Sequence, residues 1–250
     1  MTPNLMMNRR GLLAGMAGMG LIGLTGNPTW AQETPVRGGV LVLGIGGGST
    51  TDDVDIRKLN DWVPVNQAYM LMNGLVEIDA NNLAIPELFE SWEAAEGAVE
   101  WTFKVRQGVT FHNGKTLTAE DIIYSLNLHR GDTTSAARSI AEAFKDVAKV
   151  SDTEVKITLA SGNADLPYVL SDYHFLVVPD GFTDWANPVG TGPFVYESYE
   201  PGVRSRFIRN ESYWKPGCAN VDAVEVIVIN DISARTNALM SGQVHAINSL

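Results

Sequence analysis

The sequence predicts an α/β fold interrupted by an inserted α+β subdomain, and three observations lead to it. The run 39–45, GVLVLGI, is short, apolar, β-branched and bounded by glycines, which is typical of a buried strand. Near the other end, a strand over 224–229, a helix over 232–240 and a strand over 244–247 give a β-α-β order. Between these regions, several segments alternate apolar and polar residues, as hairpin strands do.

Composition and charge narrow the class of protein. With 250 residues and 45% hydrophobic content, the chain can bury a sizeable core in one or two domains. Its formal net charge of −11 repels phosphate backbones, so we expect no nucleic-acid partner. The single cysteine, Cys218, excludes an intramolecular disulfide and is assigned no role.

The N-terminus has the pattern of an export signal. Asn8-Arg9-Arg10-Gly11-Leu12-Leu13 is a twin-arginine start, and a small, apolar run follows over 12–24. Pro28 ends that run, and cleavage after Ala31 would make residues 1–31 the signal peptide. The apolar run is too short for a stable membrane anchor, which takes about 20 residues. Sec export with a coincidental arginine pair is the alternative.

The loop after the first strand is rich in glycine. Gly46, Gly47, Gly48 and Ser49 expose backbone N–H groups, but neither the GxGxxG spacing nor a P-loop lysine is present, so a phosphate cradle is rejected. A helix is predicted over 64–75, with Tyr69, Met72 and Leu75 at helical spacing. A strand then resumes at Leu75.

The central region carries clear local signals. Alternation predicts strands over 101–105 and 155–159, and a short helix interrupted at Pro167 is predicted over 164–170. Thr118 with Asp121 three residues later forms a capping box that begins a helix, and Glu120 adds a second acid to its first turn. Capping accounts for both carboxylates, although catalytic use is the alternative.

The segment 187–214 contains the turn Gly190-Thr191-Gly192-Pro193. Its glycines permit positive φ or close approach of another chain, and Pro193 fixes φ. Alternation from Phe194, a turn at Pro201-Gly202 and a return strand over 204–209 predict a hairpin. The turn itself has two interpretations, a requirement of the fold or a ligand contact, and both stay open.

Four stretches together resemble the family 5 extracellular solute-binding proteins, the peptide and oligopeptide receptors of ABC importers. They are IPELFESW (85–92), WTFKVRQGVTFHNGKTLTAEDIIYSL (101–126), NPVGTGPFVYESYEPGVRSRFIRNESYW (187–214) and ISARTNALMSGQVHAI (232–247). The resemblance implies a lobe of the periplasmic-binding-protein type (type II, cluster C). In that lobe, 37–75 and 181–250 form the α/β part and 76–180 the inserted subdomain, while the second lobe is absent from this chain.

The resemblance also implies a function and a site. A periplasmic receptor would capture a peptide or related small solute between two lobes and deliver it to the transmembrane subunits of an ABC permease, as a monomer without a cofactor. The implied ligand-binding residues are Gly46, Gly47, Gly48, Ser49, Tyr69, Gly190, Thr191 and Gly192. Nickel, haem, sugar and opine binders belong to the same family, so the ligand stays open.

Catalytic and metal chemistry find little support in the sequence, so we expect a protein that is not an enzyme. The four histidines are scattered, and no dedicated metal site is expected. Asp52, Asp53 and Asp55 invite a calcium hypothesis but lack the EF-hand pattern. A secreted α/β hydrolase using Ser49 or Thr191 with a distant histidine is one alternative, and a half-receptor acting as an interaction module is another. Trp62, Tyr69 or Trp185 could line a cleft or simply pack.

Overall fold

The computed structural model describes residues 36–131 and 134–249. The predicted signal peptide at 1–31 lies outside this range. Within it, no helix combines the length and the apolar character needed to cross a bilayer.

The elements follow in chain order. The strands are β1 Val40–Ile45, β2 Val76–Ile78, β3 Ala84–Pro86, β4 Phe89–Ala94, β5 Glu100–Val105, β6 Phe144–Ser151, β7 Glu154–Leu159, β8 Phe194–Glu200, β9 Arg204–Arg209, β10 Ala223–Val228 and β11 Ala246–Ile247. The helices are α1 Trp62–Leu71, α2 Ala119–Asn127, α3 Arg138–Ala141, α4 Leu166–Val169 and α5 Ile232–Met240.

The main sheet has five strands in the order β11-β1-β10-β9-β8. β1 is parallel to β10, with Val40 opposite Ala223, and parallel to β11, with Leu43 opposite Ala246. β9 pairs antiparallel with both β10 and β8. The predicted β-α-β order and the 194–209 hairpin are confirmed, and the carboxyl ends of β1, β10 and β11 meet at one edge.

A second, antiparallel sheet has the order β4-β5-β7-β6, and β2 and β3 form a two-stranded ribbon. The predicted strands over 101–105 and 155–159 are its central pair, β5 and β7. The sequence analysis did not predict β6 as a strand, and its burial pattern is irregular because its pairing with β7 shifts register twice. The subdomain boundaries at 76 and 180 stay predictions.

Each sheet has its own hydrophobic core. Phe89, Phe103, Phe144 and Phe175 belong to the core of the antiparallel sheet. The core of the main sheet includes Ile45, Val63, Leu71, Met72, Phe207 and Val226. Met72 is fully buried in this core.

The helix boundaries differ from prediction at α1 and α4. α1 begins at Trp62, whose N–H donates to the Asp61 side chain (2.7 Å). Pro64 does not mark the start of the helix, because proline is tolerated within the first turn. It ends at Leu71, and Met72 is extended with φ −134°, so Met72 and Leu75 do not lie on the helix as predicted. In α4, Pro167 lies in the first turn and does not interrupt the helix.

The capping box at α2 is confirmed. Asp121 is fully buried and accepts the Thr118 N–H (2.8 Å) and the Asp180 N–H (2.7 Å), and Lys115 pairs with it. Glu120 pairs with Lys149 at the surface. Both carboxylates therefore have structural partners, which favours the capping interpretation over the catalytic one.

Candidate functional site

Two asparagines hold the glycine loop at the carboxyl edge of the main sheet. Asn230, which follows β10, accepts the N–H groups of Gly47 (2.9 Å) and Gly48 (3.1 Å). Asn248, which follows β11, accepts the Gly46 N–H (2.8 Å). Neither asparagine has a specific signal in the sequence, because each can be recognised only from the pairing of the three parallel strands. This edge is where open α/β sheets bind ligands.

Crowding explains why the loop is made of glycine. A Cβ at Gly46 would lie 2.5 Å from an Arg235 guanidinium nitrogen, and one at Gly48 would lie 2.5 Å from a Val228 methyl group. At Gly47 the φ angle is +83°, and a Cβ would lie 2.0 Å from an Asp61 carboxylate oxygen. Each neighbour is a side chain, so the loop is packed closely against movable groups.

Ser49 lies at the exposed end of this loop. Its N–H donates to the Asp52 carboxylate (2.8 Å), and its hydroxyl is 3.0 Å from that of Thr51. Partial burial raises the pKa of Asp52, with the charges of Asp61 and Asp53 acting in the same direction. The Tyr199 hydroxyl donates to the Asp52 carbonyl (2.6 Å), which fixes the far side of the loop.

Two exposed aromatic side chains lie on α1, which follows the loop in the chain. Trp62 is 61% exposed and Tyr69 is 46% exposed, although both rings are large and apolar. They line a concave surface that encloses a volume of about 470 Å³. Its other lining residues are Asn60, Asp61, Val65 and Tyr173. Asp61 connects it to the loop, because its carboxylate lies against Gly47. We call Gly46–Ser49, Asp61, Trp62 and Tyr69 the glycine-loop face.

The turn at Gly190, Thr191 and Gly192 lies elsewhere, in the interior. All three residues are buried, and none lines the concave surface beside the loop. A Cβ at Gly190 would lie 2.1 Å from the Leu71 carbonyl oxygen, and one at Gly192 would lie 2.4 Å from the Leu71 carbonyl carbon. The glycines are therefore needed for close approach to the end of α1, and their φ angles are not positive.

Hydrogen bonds tie this turn to its surroundings. The Gly192 N–H donates to the Leu71 carbonyl (2.9 Å), and the Thr191 hydroxyl donates to the Asn73 side-chain oxygen (3.0 Å). His112 Nε2 lies 3.0 Å from the Gly192 carbonyl, and burial lowers the pKa of His112. These contacts favour the structural interpretation of the turn over ligand contact. Trp185 is likewise a packing residue, edge-on to Phe182 at 5.0 Å.

The hydroxyl groups considered for catalysis have other partners. Ser49 bonds Thr51 and Thr191 bonds Asn73, so neither hydrogen bond reaches a histidine. Ser135 and His129 do meet, at 2.8 Å, but both are buried. Burial lowers the pKa of His129 to about 4, with the neighbouring His174 acting in the same direction. This serine–histidine contact is part of the interior.

Asp55, one of the three aspartates considered for calcium, has a structural role. Asp55 is fully buried, and its carboxylate pairs with Arg57 (2.7 Å) and Lys58 (3.3 Å). Its pKa is lowered because the Arg57 and Lys58 contacts outweigh the desolvation that opposes them. Across residues 36–131 and 134–249, no cluster of three or more His, Cys, Asp or Glu side chains is arranged to hold a metal ion.

Sequence comparison identifies the relatives of this chain. Residues 84–250 match the model of the bacterial extracellular solute-binding proteins, family 5 Middle. Haem-binding protein A of Haemophilus influenzae is 30% identical over 200 residues, which are 68% of this chain and 36% of that protein. Oligopeptide-binding protein AppA of Bacillus subtilis is 28% identical, over 86% of this chain and 41% of that protein. The chain thus spans about two fifths of these relatives.

Solved structures give the same result. AgaA from A. tumefacien R10, in complex with agropinic acid, superposes with a TM-score of 0.76 at 28% identity, over 82% of this chain and 43% of that one. AppA from Bacillus subtilis, in complex with a nonapeptide, gives 0.73 at 25% identity, over 84% and 44%. The α/β lobe with its additional antiparallel sheet is therefore part of a periplasmic-binding-protein fold.

Proposed function

The chain belongs to the family 5 bacterial extracellular solute-binding proteins, and we propose that it captures a peptide or a related small solute for an ABC importer. It would deliver that solute to the transmembrane subunits of the permease from the periplasm, after export directed by the twin-arginine segment at residues 1–31. We propose that it acts as a monomer. Family 5 proteins are binders, and no chemistry on the solute is required.

The glycine-loop face is the single observation that carries this proposal. Gly47, Gly48 and Ser49 form the half-buried to exposed end of the loop, at the carboxyl edge of the main sheet where open α/β sheets bind ligands. Trp62 and Tyr69 offer exposed rings beside it, which is unusual for a surface without a partner and typical of a binding wall. A second lobe would supply the facing wall, and closure about a hinge would signal the loaded state.

The relatives support this class of solute without narrowing it. The named partners of the similar proteins are haem, oligopeptides and agropinic acid. A peptide is our first choice because the similar protein AppA is named for oligopeptides and its solved structure holds a nonapeptide. Another solute, such as haem, nickel, a sugar or an opine, is the second candidate, since exposed aromatic rings also stack on planar or cyclic ligands.

Calorimetric titration of the chain with di-, tri- and nonapeptides, haem, nickel-histidine and an opine tests the proposal. We expect a peptide to bind and Trp62→Ala to weaken binding about tenfold, the loss of one well-buried aromatic contact. Val150→Ala is the control, because Val150 is 54% exposed on β6 in the other sheet. Binding of another solute alone would change the ligand class. Binding by none would overturn the carrier proposal.

A further inference from the structure

A second cavity, of about 530 Å³, lies at the other end of α1. Tyr69 is the one residue whose side chain also lines the concave surface beside the glycine loop. The cavity wall comes from the end of α1, from β2 and from the segment 213–219, and it includes Met72, Leu176 and Phe194 on its apolar side. Its polar side is formed by Glu87, Asn73, Tyr69 and Tyr213.

Glu87 is a buried acid on this wall. It is 5% exposed, and its carboxylate accepts a hydrogen bond from the Asn73 side-chain amide (2.8 Å). Desolvation raises the pKa of Glu87 to about 7, and the negative charge of Glu77 acts in the same direction. A carboxyl group is rarely buried without an ionic partner, so this position needs an explanation.

Asn73 holds Glu87 in a fixed orientation. The Asn73 amide nitrogen also donates to the Tyr213 hydroxyl (3.0 Å), which uses its second hydrogen. Its side-chain oxygen accepts from the Thr191 hydroxyl (3.0 Å) and the Trp214 indole (3.1 Å). All four hydrogen-bonding positions of the amide are occupied, so the carboxylate of Glu87 is positioned before any ligand arrives.

The charged groups around Glu87 are engaged with other atoms. Lys215 pairs with Glu77, and His174 contacts Asp172 at 2.7 Å. Arg106 donates to the backbone carbonyl of Glu87 (2.5 Å), and its guanidinium lies 5.0 Å from the Trp214 ring centroid. The lining therefore contains three carboxyl groups and one ammonium group. Lys215 pairs with Glu77, and its charge lowers the pKa of Glu87 by less than burial raises it.

The phenol groups complete the polar side. Burial raises the pKa of Tyr69 to about 12, so its hydroxyl stays protonated and can donate or accept. The Tyr213 hydroxyl accepts from Asn73, which leaves its hydrogen available. Aromatic faces also attract cations.

We propose that this cavity is a binding site for a small protonated amine, with Glu87 as its anionic partner and Tyr69 and Tyr213 beside it. An organic cation fits better than a metal ion, since the described residues contain no cluster of three metal-ligating side chains. An ammonium group needs one carboxylate and a few further acceptors, which this wall supplies. The site shares Tyr69 with the glycine-loop face but does not depend on the function proposed above.

The test is titration of the chain with ethylamine, ethanolamine and putrescine at pH 6 and pH 8. These amines stay protonated throughout, so any change reports on the protein. With the pKa of Glu87 at about 7, the ionised fraction and hence the affinity should rise about tenfold from pH 6 to pH 8. At pH 7 about half of the unliganded Glu87 is protonated, so amine binding should release protons from Glu87 to the buffer.

Matched variants separate this site from general charge effects. Glu87→Gln keeps the acceptor for Asn73 but loses the charge, so we expect at least a tenfold loss of amine affinity and no pH dependence. Glu93 is an exposed acid on β4, so Glu93→Gln should leave the amine affinity and its pH dependence unchanged. If Glu87→Gln unfolds the chain, Tyr213→Phe still removes one wall hydroxyl and should weaken binding several-fold.

Three results would overturn the proposal. One is the absence of amine binding at pH 8. Another is equal affinity in the wild type and Glu87→Gln. The third is amine binding that Trp62→Ala abolishes, which would place the amine on the glycine-loop face. In support, a bound amine should slow maleimide labelling of Cys218, which is exposed and lines the cavity.

Discussion

Two glycine-rich segments, Gly46–Gly48 and Gly190–Gly192, have similar sequences and opposite environments. The first follows a parallel strand, and its last two glycines are half-buried beside exposed aromatic rings. The second is buried against the end of α1. A Cβ in the loop would first meet side chains, whereas a Cβ at Gly190 or Gly192 would first meet the backbone of Leu71. Side chains can rotate away and backbone cannot, so the loop can adjust and the turn cannot.

The largest effect should come from Gly192→Ala. The added Cβ would lie 2.4 Å from the Leu71 carbonyl carbon and 2.6 Å from the Met70 carbonyl oxygen. We expect a loss of about 3 kcal/mol in the free energy of unfolding, at the upper end for overpacking, measured by urea denaturation. Gly44→Ala is the control, since its Cβ would meet only side-chain atoms at 3.2–3.4 Å. Equal effects would show that the turn is not rigid.

The same two segments show which features could be predicted from the sequence. Strand alternation and the Thr118 capping box depend on neighbours in sequence, and both were confirmed. The glycine turn was predicted with two interpretations because its partner, Leu71, lies about 120 residues away in the chain. Helix α1 was placed two residues late since Pro64 was taken as its start, while Asp61 supplies the cap.

The site residues were predictable to the same extent. The glycine loop was found from the strand before it, but Asn230 and Asn248 became recognisable only when the strands were paired. Burial of Glu87 had no signal in the sequence, because residues 85–92 were interpreted only as a local match to the family. Which glycines face solvent is a tertiary property, and the sequence leaves it undetermined.

A second effect tests the buried network behind the turn through pH. Folded Glu87 has a pKa of about 7 against an ordinary value of 4.5, so unfolding releases its proton between those pH values. Its contribution to the free energy of unfolding should therefore fall by about 2 kcal/mol from pH 5 to pH 7. Urea denaturation of Glu87→Gln and wild type at both pH values should show that difference. An identical pH dependence in the two would contradict it.

His129 acts in the opposite direction. Its folded pKa is about 4 against 6.5, so the unfolded chain gains a proton on acidification that the folded chain does not. This group should add about 2 kcal/mol from pH 5 to pH 7. The two contributions nearly cancel in the wild type, so only difference profiles are informative. His129→Gln should make stability fall more steeply from pH 5 to pH 7, and Glu87→Gln should reverse that slope.

The smallest effect on stability should come from Gly48→Ala, and it addresses the comparison directly. Its Cβ would displace side-chain methyls of Val228 and Val63, so we expect a loss of about 1 kcal/mol. Because the loop must shift to make room, affinity for the bound solute should fall although the chain stays folded. Gly192→Ala should show the reverse balance, with large destabilisation and little direct effect on affinity under folding conditions. A loss at Gly48 as large as that at Gly192 would mean that both segments serve the fold.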